Sequence, residues 1–330
     1  MGLKNLFRNT DFAPALLADP IAFYDIGARG GFDQDLWPIA FGVDAVGFEP
    51  DPEEYERLNR KVSGAWHSSK ILPVAIGDEI GNGTLHIPAE PEGASLLAPL
   101  ENLPEHLNKK QYSEIKQTVD VDTVTLDHVF SEFDLTPPDY LKIDIEGIEL
   151  RVFHSSPRMM DNLLAVKVEV FFVHLRDAQG ISSEIETFMR EAGFSLMDII
   201  SPAHWRRDGY VIHPHLSEET IPYSRGQLVQ GDYLFFRDPN AEINRTKLSA
   251  AQNLKLAFIA MSFGFFDFAS EILAKSDVAA QLAKAGCLAP QDTLAACSRR
   301  YGRIVTRREF GHHIRLLGPY LRRFRDLILR

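Results

Sequence analysis

The chain has 330 residues, of which 45% are hydrophobic and 25% are charged, and its formal net charge at pH 7 is -11. This composition is that of an ordinary globular protein, so it excludes a disordered or fibrous chain. The length allows one large α/β domain with an appendage, or two modest domains. Cys287 and Cys297 form neither a disulfide framework nor a metal-binding motif, and we expect both to be core thiols in a reducing compartment.

Neither residues 1–19 nor residues 254–269 have the pattern of a signal peptide or a membrane span, because the first stretch lacks a long apolar run and the second is short and charged. The sequence therefore predicts a soluble, cytoplasmic protein. Charge is uneven along the chain: residues 299–330 hold ten arginines against Glu309 and Asp326, which leaves -19 on the first 298 residues. Such an acidic body would repel nucleic acid, whereas the basic tail would attract an acidic surface.

Strand and helix signals alternate through the first two thirds of the chain, which is typical of parallel βαβ units in a doubly wound α/β sheet. Seven strands are predicted, over residues 22–28, 44–49, 71–76, 140–145, 165–172, 195–200 and 232–237. Helices are predicted over residues 51–61, 105–116 and 182–191, with another directly after 125–127. We expect the stretch 81–118 to form a lid or wall over the cofactor side, and the polar excursion 202–229 to be an acceptor loop that contains His213 and His215.

The first predicted strand runs straight into a glycine turn, since residues 22–31 read AFYDIGARGG. The second strand ends on Glu49 and Pro50, about 20 residues further on. A glycine turn that opens a helix lets backbone N–H groups approach a nucleotide-like ligand, and an acid at that spacing can bind ribose hydroxyls. A glycine turn alone is weak evidence, because any turn between a strand and a helix can require glycine for its backbone conformation. The turn together with a second strand that ends on an acidic residue indicates a nucleoside cofactor.

The composition of the turn indicates which nucleoside binds. A dinucleotide site requires G-x-G-x-x-G, whereas this turn reads GARGG from Gly27 to Gly31, with Arg29 at its centre. Asp25, two residues before the first glycine, suits a ligand that has a free ammonium and no pyrophosphate, such as S-adenosylmethionine. We expect Asp25 to face the methionine end, the backbone of the turn to underlie it, and Glu49 to bind both ribose hydroxyls.

The fourth predicted strand carries three ionisable residues. Residues 141–149 read LKIDIEGIE, and strict alternation places Lys142, Asp144 and Glu146 on one face. A central parallel strand is covered on both sides and is normally apolar, so such residues must pair with one another or serve a ligand. A Lys142–Asp144 ion pair is the structural alternative. Because the carboxyl ends of these strands border the ligand crevice, we expect Asp144 to contact the cofactor.

Methyl transfer to a hydroxyl requires a base that removes the hydroxyl proton. Glu169, in the fifth strand, and His174, just past its end, are expected to overlook the same crevice. His174 is the first candidate because histidine titrates near neutral pH, Glu169 is the second, and Lys142 is a further catalytic candidate. A surface or helix-capping role is the alternative for His174. Hard cations prefer carboxylate oxygens, and the candidate ligands of a Mg²⁺ or Ca²⁺ ion are Asp144, Glu146 and Asp122.

Beyond residue 240 the composition shifts to helix formers, so we predict a cofactor-binding domain over residues 1–240 and a helical extension over 241–330. One tetratricopeptide-like helical hairpin fits residues 256–273 and must pack on the domain or on a partner, and a homo-oligomer is one such arrangement. The tail is amphipathic, and Gly318-Pro319 predicts two short helices in it rather than one. The tail either packs on the domain or docks on an acidic membrane surface or partner.

Five segments follow one another along the chain and read FYDIGARGG from Phe23, VGFEPD from Val46, VAIGD from Val74, TLD from Thr125 and LKIDIEGIE from Leu141. Together they resemble the FkbM-type S-adenosylmethionine-dependent methyltransferases, over about residues 20–237. The resemblance implies a class I methyltransferase (Rossmann-like) fold, a doubly wound seven-stranded sheet whose last strand is antiparallel. It also implies an adenine pocket lined by Ala75, Ile76 and Asp78. Arg29 departs from the family, which usually has Asn at this position.

The resemblance and the residues together predict an O-methyltransferase that acts on a sugar or glycan hydroxyl, of the polysaccharide or lipopolysaccharide type, or on a related secondary metabolite. The predicted cofactor-binding residues are Asp25, Gly27, Ala28, Arg29, Gly31, Glu49, Pro50, Ala75, Ile76, Asp78 and Asp144. The alternatives are an NAD(P)-dependent sugar oxidoreductase or epimerase, which the missing glycines disfavour, and a cofactor-binding scaffold that docks through its tail. The tail would then place the protein at the inner membrane surface.

Overall fold

The computed structural model describes residues 2–60, 64–104, 106–107, 109–207, 220–221, 223–241 and 247–328. Within these residues the chain forms ten strands: β1 (Ile21–Ile26), β2 (Val43–Phe48), β3 (Ser68–Leu72), β4 (Ala75–Ile76), β5 (Gly81–Pro88), β6 (Ile115–Val124), β7 (Tyr140–Ile143), β8 (Ala165–Phe171), β9 (Ser195–Trp205) and β10 (Gln227–Phe236). The same described residues form eleven α-helices: α1 (Ala13–Ala18), α2 (Pro52–Asn59), α3 (Lys110–Ser113), α4 (Leu126–Glu132), α5 (Glu149–Ser155), α6 (Pro157–Asn162), α7 (Ser182–Glu191), α8 (Ala250–Phe263), α9 (Phe266–Leu273), α10 (Ser276–Lys284) and α11 (Pro290–Ile328). Short 3₁₀ helices cover Trp37–Gly42 and Pro91–Gly93.

Seven of the strands form one sheet in the order β3-β2-β1-β7-β8-β10-β9. β10 runs antiparallel to both of its neighbours, and the other pairs are parallel. Counted within this sheet, the strands stand in the order 3-2-1-4-5-7-6, which confirms the predicted class I methyltransferase fold and its antiparallel last strand. The order reverses between β1 and β7, and open α/β sheets bind ligands at such a point, outside the carboxyl ends of the strands.

Apolar side chains cover both faces of the central strands, as parallel strands require. Every residue of β1 and of β8 is buried. On one face Phe23 stacks on Tyr140, with ring centroids 5.2 Å apart, and Tyr140 meets Phe263 of α8 at 5.7 Å. On the other face Phe153 of α5 belongs to a second core. The C-terminal helices therefore share a core with the sheet.

β4, β5 and β6 form a second sheet in the order β4-β6-β5. The predicted third strand, over residues 71–76, is therefore wrong in part, because it divides into β3 in the large sheet and β4 in the small one. Pro73 lies between the two and has no N–H to donate to a ladder. The predicted helix over residues 105–116 is also wrong for most of its length. The chain enters β6 at Ile115, where pairing with β5 outweighs local helix preference.

Four helices follow the sheet in the described part of the chain. α8 and α9 form the predicted helical hairpin, joined at Gly264, whose φ of +92° favours glycine. The hairpin packs on the sheet domain, since Phe258 of α8 meets Phe12 at 5.5 Å. The prediction of two short tail helices is wrong, because α11 continues through Gly318 and Pro319. A proline removes one backbone hydrogen bond of the helix, and the helix continues through the hydrogen bonds on either side of it. Within the described residues we find no helix whose length and hydropathy would let it span a bilayer.

Candidate active site

A cavity of about 310 Å³ lies at the carboxyl ends of β1, β2, β7 and β8. The strand order reverses there, so the cavity occupies the position at which open α/β sheets bind their ligands. The charged side chains of its lining are five carboxylates and two basic groups, namely Glu49, Glu92, Asp144, Glu146, Glu169, Arg29 and Lys142. This excess of carboxylates suits a ligand that carries positive charge.

The glycine turn after β1 is pressed against the turn after β7. Gly27 has a φ of +79°, and a Cβ at this position would come within 2.0 Å of the Asp144 carbonyl oxygen. Lys142 Nζ donates to the Gly27 carbonyl oxygen at 3.0 Å, and Asp144 N donates to Ile26 O at 3.1 Å. Only glycine allows this approach, which brings the two strand ends to one edge of the cavity.

The backbone N–H groups of this turn are engaged within the protein. Ala28 N donates to Phe48 O at 3.1 Å, Gly30 N to Glu54 Oε1 at 2.8 Å, and Gly31 N to Ala28 O at 2.9 Å. The prediction that the turn opens an α-helix is also wrong, since the next helix is the 3₁₀ segment Trp37–Gly42. The helix N-terminus that would bind a pyrophosphate in a dinucleotide fold is therefore not formed at residues 27–42.

Asp25 lies beneath the turn and is fully buried. It accepts a hydrogen bond from Asp33 N at 2.7 Å, and its Oδ1 lies 3.3 Å from Lys142 Nζ. Lys142 Nζ also lies 3.4 Å from Asp144 Oδ2. Burial acts to lower the pKa of Lys142, but the charges of Asp25 and Asp144 outweigh it and raise the pKa above the usual lysine range. Lys142 therefore stays protonated and holds the two turns together, which does not suit a base; its catalytic role stays a prediction.

Glu49 forms the far wall of the cavity from the end of β2, and its side chain is almost fully buried. Its Oε1 accepts a hydrogen bond from Asp51 N at 2.9 Å. Burial raises the pKa of Glu49 to about 7. Arg29, the residue that departs from the family pattern, forms an ion pair with Asp51 at 2.5 Å. The arginine is thus tied to the start of α2, and its other edge lines the cavity.

Three carboxylates converge at the ends of β7 and β8. Asp144, Glu146 and Glu169 each bring one oxygen within 4.8 Å of the others. Glu146 accepts a hydrogen bond from Arg176 Nη2 at 2.8 Å. Glu169 is buried, its Oε1 accepts from Gln230 Nε2 at 3.3 Å, and its Oε2 receives no hydrogen bond from the described residues. Burial, together with the charges of Asp144 and Glu146, raises the pKa of Glu169 well above the usual glutamate range.

The structure brings most of the predicted site residues to this cavity. The lining includes Gly27, Arg29, Glu49, Pro50, Ala75, Ile76, Lys142, Asp144, Glu146 and Glu169. The predicted residues outside the lining are Asp25, Ala28, Gly31, Asp78 and His174. Ala28 is buried against the end of β2, while Asp78 forms an ion pair with Arg151 at 2.6 Å. Asp122 is exposed on β6 and lies outside the carboxylate cluster, and His213 and His215 lie outside the described residues.

The expectation that His174 shares the crevice with Glu169 is wrong. His174 is exposed and does not line the cavity. β8 ends at Phe171, so the alternation that places Glu169 inward does not extend to residue 174. The residue that comes back to the site is Arg176, which is buried and binds Glu146.

Several lining residues were not identified from the sequence. Glu92, Ser95, Leu96 and Tyr112 line the cavity from the stretch 81–118, which confirms that this stretch forms a wall. Its content of Pro, Gly and Glu predicted the wall, but its individual side chains carried no recognisable motif. Gln230 of β10 also lines the cavity. Its only signal in the sequence is its position just before the predicted strand over residues 232–237.

Comparison with known proteins identifies the family. The model of the methyltransferase FkbM domain matches residues 25–196. No curated protein matches the chain in sequence. Solved structures with some likeness include a precorrin-6Y C5,15-methyltransferase from Geobacter metallireducens GS-15, with 8% identity, coverage of 68% of this chain and 85% of that chain, and a TM-score of 0.32. Another is the targeted domain of a putative precorrin-6Y C5,15-methyltransferase from Corynebacterium diphtheriae, with 14% identity, coverage of 68% and 93%, and a TM-score of 0.30. A third is a 1,6-didemethyltoxoflavin-N1-methyltransferase from Burkholderia thailandensis with bound S-adenosylhomocysteine, with 12% identity, coverage of 68% and 75%, and a TM-score of 0.28. These TM-scores are too low to bear on function.

Proposed function

The chain belongs to the FkbM methyltransferase family, and we propose that it transfers a methyl group from S-adenosylmethionine to a hydroxyl of a sugar, a glycan or a related secondary metabolite. The cavity at the carboxyl edge of the sheet is the reaction site in this proposal. The donor binds along β1 and β2, and the acceptor approaches from the side of β8.

The excess of carboxylates around the cavity is the observation that carries the proposal. S-adenosylmethionine has a sulfonium and an ammonium against a single carboxylate, so it is a net cation. Five carboxyl groups and two basic side chains line the cavity. Their raised pKa values leave Glu169 protonated and Glu49 partly protonated in the empty site near pH 7. A cationic ligand would favour the ionised form of both groups, whereas the anionic pyrophosphate of a nicotinamide dinucleotide would not. The family membership and the missing helix N-terminus both oppose the alternative of an NAD(P)-dependent oxidoreductase or epimerase.

The residues of the cavity fit the donor. Glu49, held by Asp51 N at the end of β2, would accept hydrogen bonds from the ribose hydroxyls. Ala75 and Ile76, with other apolar residues of the lining, would cover the adenine ring. The Gly27 turn and the Asp144 carboxylate line the same cavity and would border the methionine end. When bound, S-adenosylmethionine supplies an electrophilic methyl group on its sulfonium.

Glu169 is the base in this proposal. Its Oε2 is buried at the cavity and has no donor among the described residues, so it is placed to accept the proton of an acceptor hydroxyl. The strongly raised pKa of Glu169 keeps the carboxyl neutral near pH 7 in the empty site. A cationic ligand in the cavity would offset the repulsion by Asp144 and Glu146 and lower that pKa. The hydroxyl oxygen would then bond to the methyl carbon as the methyl–sulfur bond of the donor breaks, which leaves S-adenosylhomocysteine and the hydroxyl proton on Glu169.

The acceptor side is supported by a smaller hollow that adjoins the cavity. Glu146, Tyr112 and Gln230 line both spaces, and Trp205 lines the hollow. Tyr112 and Trp205 stack with ring centroids 6.1 Å apart, and Lys109 Nζ lies 5.8 Å from the Trp205 ring. The hollow holds only about 20 Å³, so it is too small for a sugar ring itself. In this proposal the ring lies in the main cavity, and the aromatic and polar side chains at the junction of the two spaces contact its C–H faces and hydroxyl edges.

A divalent cation is a second candidate occupant of the carboxylate cluster. Asp144, Glu146 and Glu169 offer the oxygen ligands that Mg²⁺ or Ca²⁺ prefers. Arg176 and Lys142 already pair with two of the three carboxylates, so we favour proton transfer by Glu169. Activity that EDTA abolishes and Mg²⁺ or Ca²⁺ restores would assign the cluster to a cation, whereas unchanged activity supports the base.

Calorimetry with S-adenosylmethionine and with NAD tests the donor half of the proposal. We expect binding of S-adenosylmethionine that Glu49→Gln weakens and that the matched control Glu56→Gln, exposed on α2, leaves unchanged. Binding of NAD without binding of S-adenosylmethionine would overturn the proposal. Labelled methyl transfer into glycan and lipid extracts tests the acceptor half, and label in protein or nucleic acid alone would exclude a glycan acceptor.

A further inference from the structure

The helix α11 leaves the body of the protein part of the way along its length. Its first turns are packed, since Leu294, Cys297 and Ile304 are buried and Tyr301 Oη donates to Ser262 O at 3.3 Å. Arg300 Nη1 also donates to Leu6 O at 2.8 Å. Of the side chains described beyond Ile304, none is buried. The helix is about 60 Å long, and the side chains described in its second half, residues 305–328, are at most half-buried.

The second half of α11 carries a row of large apolar side chains, which we call the apolar stripe. Phe310, Ile314, Leu317 and Leu321 are exposed by 66%, 54%, 57% and 60%. They follow one another in steps of four, three and four residues, so they lie on one face of the helix. Exposed apolar side chains are ordinary when they are scattered, but a contiguous row on a single face indicates a contact surface.

A second row, of basic side chains, precedes the apolar stripe. Arg299, Arg303 and Arg307 are exposed and recur every four residues, and the first two continue the line of the stripe toward the body. In the sequence, residues 299–330 contain ten arginines and two acids. The contact surface therefore combines apolar burial with a strong positive charge.

We propose that α11 docks on an anionic lipid bilayer through its exposed face from Arg299 onward, with the apolar stripe in the headgroup region and the basic row against lipid phosphates. An interfacial helix with an apolar face and an arginine-rich face binds in this way, and the two contributions together give stable attachment where either alone is marginal. A second copy of the chain fits less well, because it would bring a second set of arginines against the first. The acidic body, at -19 over residues 1–298, would be repelled by the same bilayer, so attachment would be confined to the helix.

Sedimentation with phosphatidylcholine vesicles, with and without phosphatidylglycerol, tests the proposal on the full chain. We expect binding to the phosphatidylglycerol vesicles that falls as salt rises, and weak binding to phosphatidylcholine alone. Arg299→Gln, Arg303→Gln and Arg307→Gln should each lower the partition coefficient about fivefold, as expected for one basic residue near an anionic surface. Leu317→Ser with Leu321→Ser should lower it by about a hundredfold or more, since each side chain is buried in the bilayer.

Control variants distinguish docking through α11 from non-specific hydrophobic binding to vesicles. Ile80→Ser and Leu288→Ser remove apolar side chains that are 60% and 83% exposed elsewhere, and they should leave vesicle binding unchanged. Calorimetry with S-adenosylmethionine and circular dichroism should be the same for all variants, which shows that the fold is intact. Equal binding to both kinds of vesicle, or none to either, overturns the proposal. A dimer in sedimentation velocity that Leu317→Ser with Leu321→Ser dissociates would overturn it in favour of a second copy of the chain.

Discussion

Replacing Glu49 with glutamine should weaken cofactor binding and strengthen the fold. Glutamine keeps the shape of the side chain and an oxygen that can accept from Asp51 N, as Glu49 Oε1 does at 2.9 Å. The change removes the charge that would strengthen hydrogen bonds from ribose hydroxyls. A hydrogen bond to a charged group contributes about 1.5–3 kcal/mol. We therefore expect the dissociation constant of S-adenosylmethionine to rise roughly ten- to hundredfold, as measured by calorimetry at about pH 8.

The same carboxylate should make cofactor binding depend on pH. Burial raises the pKa of Glu49 to about 7, so the empty protein holds this group largely neutral in mildly acidic solution. Only the ionised form offers full acceptors to two hydroxyls, and below that pKa it must first lose a proton. Affinity should therefore fall between about pH 8 and about pH 6, and Glu49→Gln should remove this component of the pH dependence.

The raised pKa acts in the opposite direction on stability. The folded chain holds the Glu49 proton more tightly than the unfolded chain, whose pKa is 4.5. Its contribution to stability is thus fully present below pH 4.5 and is lost as the pH rises through about 7. Each pKa unit is worth about 1.4 kcal/mol, so the neutral glutamine should raise the free energy of unfolding near pH 8 by up to about 3 kcal/mol. Urea unfolding measures this gain.

Weaker cofactor binding together with a higher free energy of unfolding distinguishes a ligand-binding carboxylate from a structural one. Glu56→Gln makes the same chemical change at an exposed position on α2, where Glu56 pairs with Arg60 at 2.6 Å. It should alter neither affinity nor stability appreciably. If Glu49→Gln binds S-adenosylmethionine as wild type does and is less stable, then Glu49 only holds the turn between β2 and α2, and the reasoning from the cavity is refuted.

Four further substitutions test the other parts of the site. Glu169→Gln should lower kcat by about 10²- to 10⁴-fold with little effect on donor affinity, whereas His174→Ala should leave kcat close to wild type; the reverse pattern in steady-state kinetics would identify His174 as the base. Gly27→Ala would place a Cβ 2.0 Å from a carbonyl oxygen of the facing turn, so we expect loss of donor binding in calorimetry, and wild-type affinity would show that the turns yield freely. Lys142→Met leaves Asp25 buried without its ion-pair partner and should lower the free energy of unfolding by about 3–5 kcal/mol in urea titrations; an unchanged value would mean that Asp25 is already neutral.

The central strands could be predicted because a parallel strand that is covered on both faces requires a nearly continuous run of apolar residues. The runs AFYDIG and VGFEP mark both the strand and its end, so they also place Gly27 and Glu49 at the carboxyl edge. Of the three ionisable residues predicted on the fourth strand, only Lys142 lies in β7, and Asp144 and Glu146 follow its end. A buried lysine in a covered strand requires partners, and Lys142 pairs with Asp25 and Asp144.

Alternation is an unreliable guide beyond a strand end, because it holds only within a regular strand: Glu146, three residues past β7, lines the cavity, whereas His174, three residues past β8, does not. His174 is the clearest case, since β8 ends at Phe171 and the chain then brings Arg176, not His174, to the carboxylates. The secondary structure of the cavity wall was mispredicted for a different reason. β6 depends on pairing with β5 over a long separation in sequence, and a local helical pattern over residues 105–116 carries no information about that pairing.

The buried charges beneath the cavity explain how the glycine turn is held without a helix behind it. Asp25, Lys142 and Lys167 stand in one register row across β1, β7 and β8. Asp33 and Asp35, which follow the turn, both reach Lys167 Nζ at 2.6 Å. Buried ion pairs are weak evidence for stability, because well-packed apolar residues often serve as well. Their geometry is what matters here, since they fix the segment after the turn to the same strands that carry the carboxylate cluster. The row therefore links the segment after the glycine turn to β8, the strand that carries Glu169.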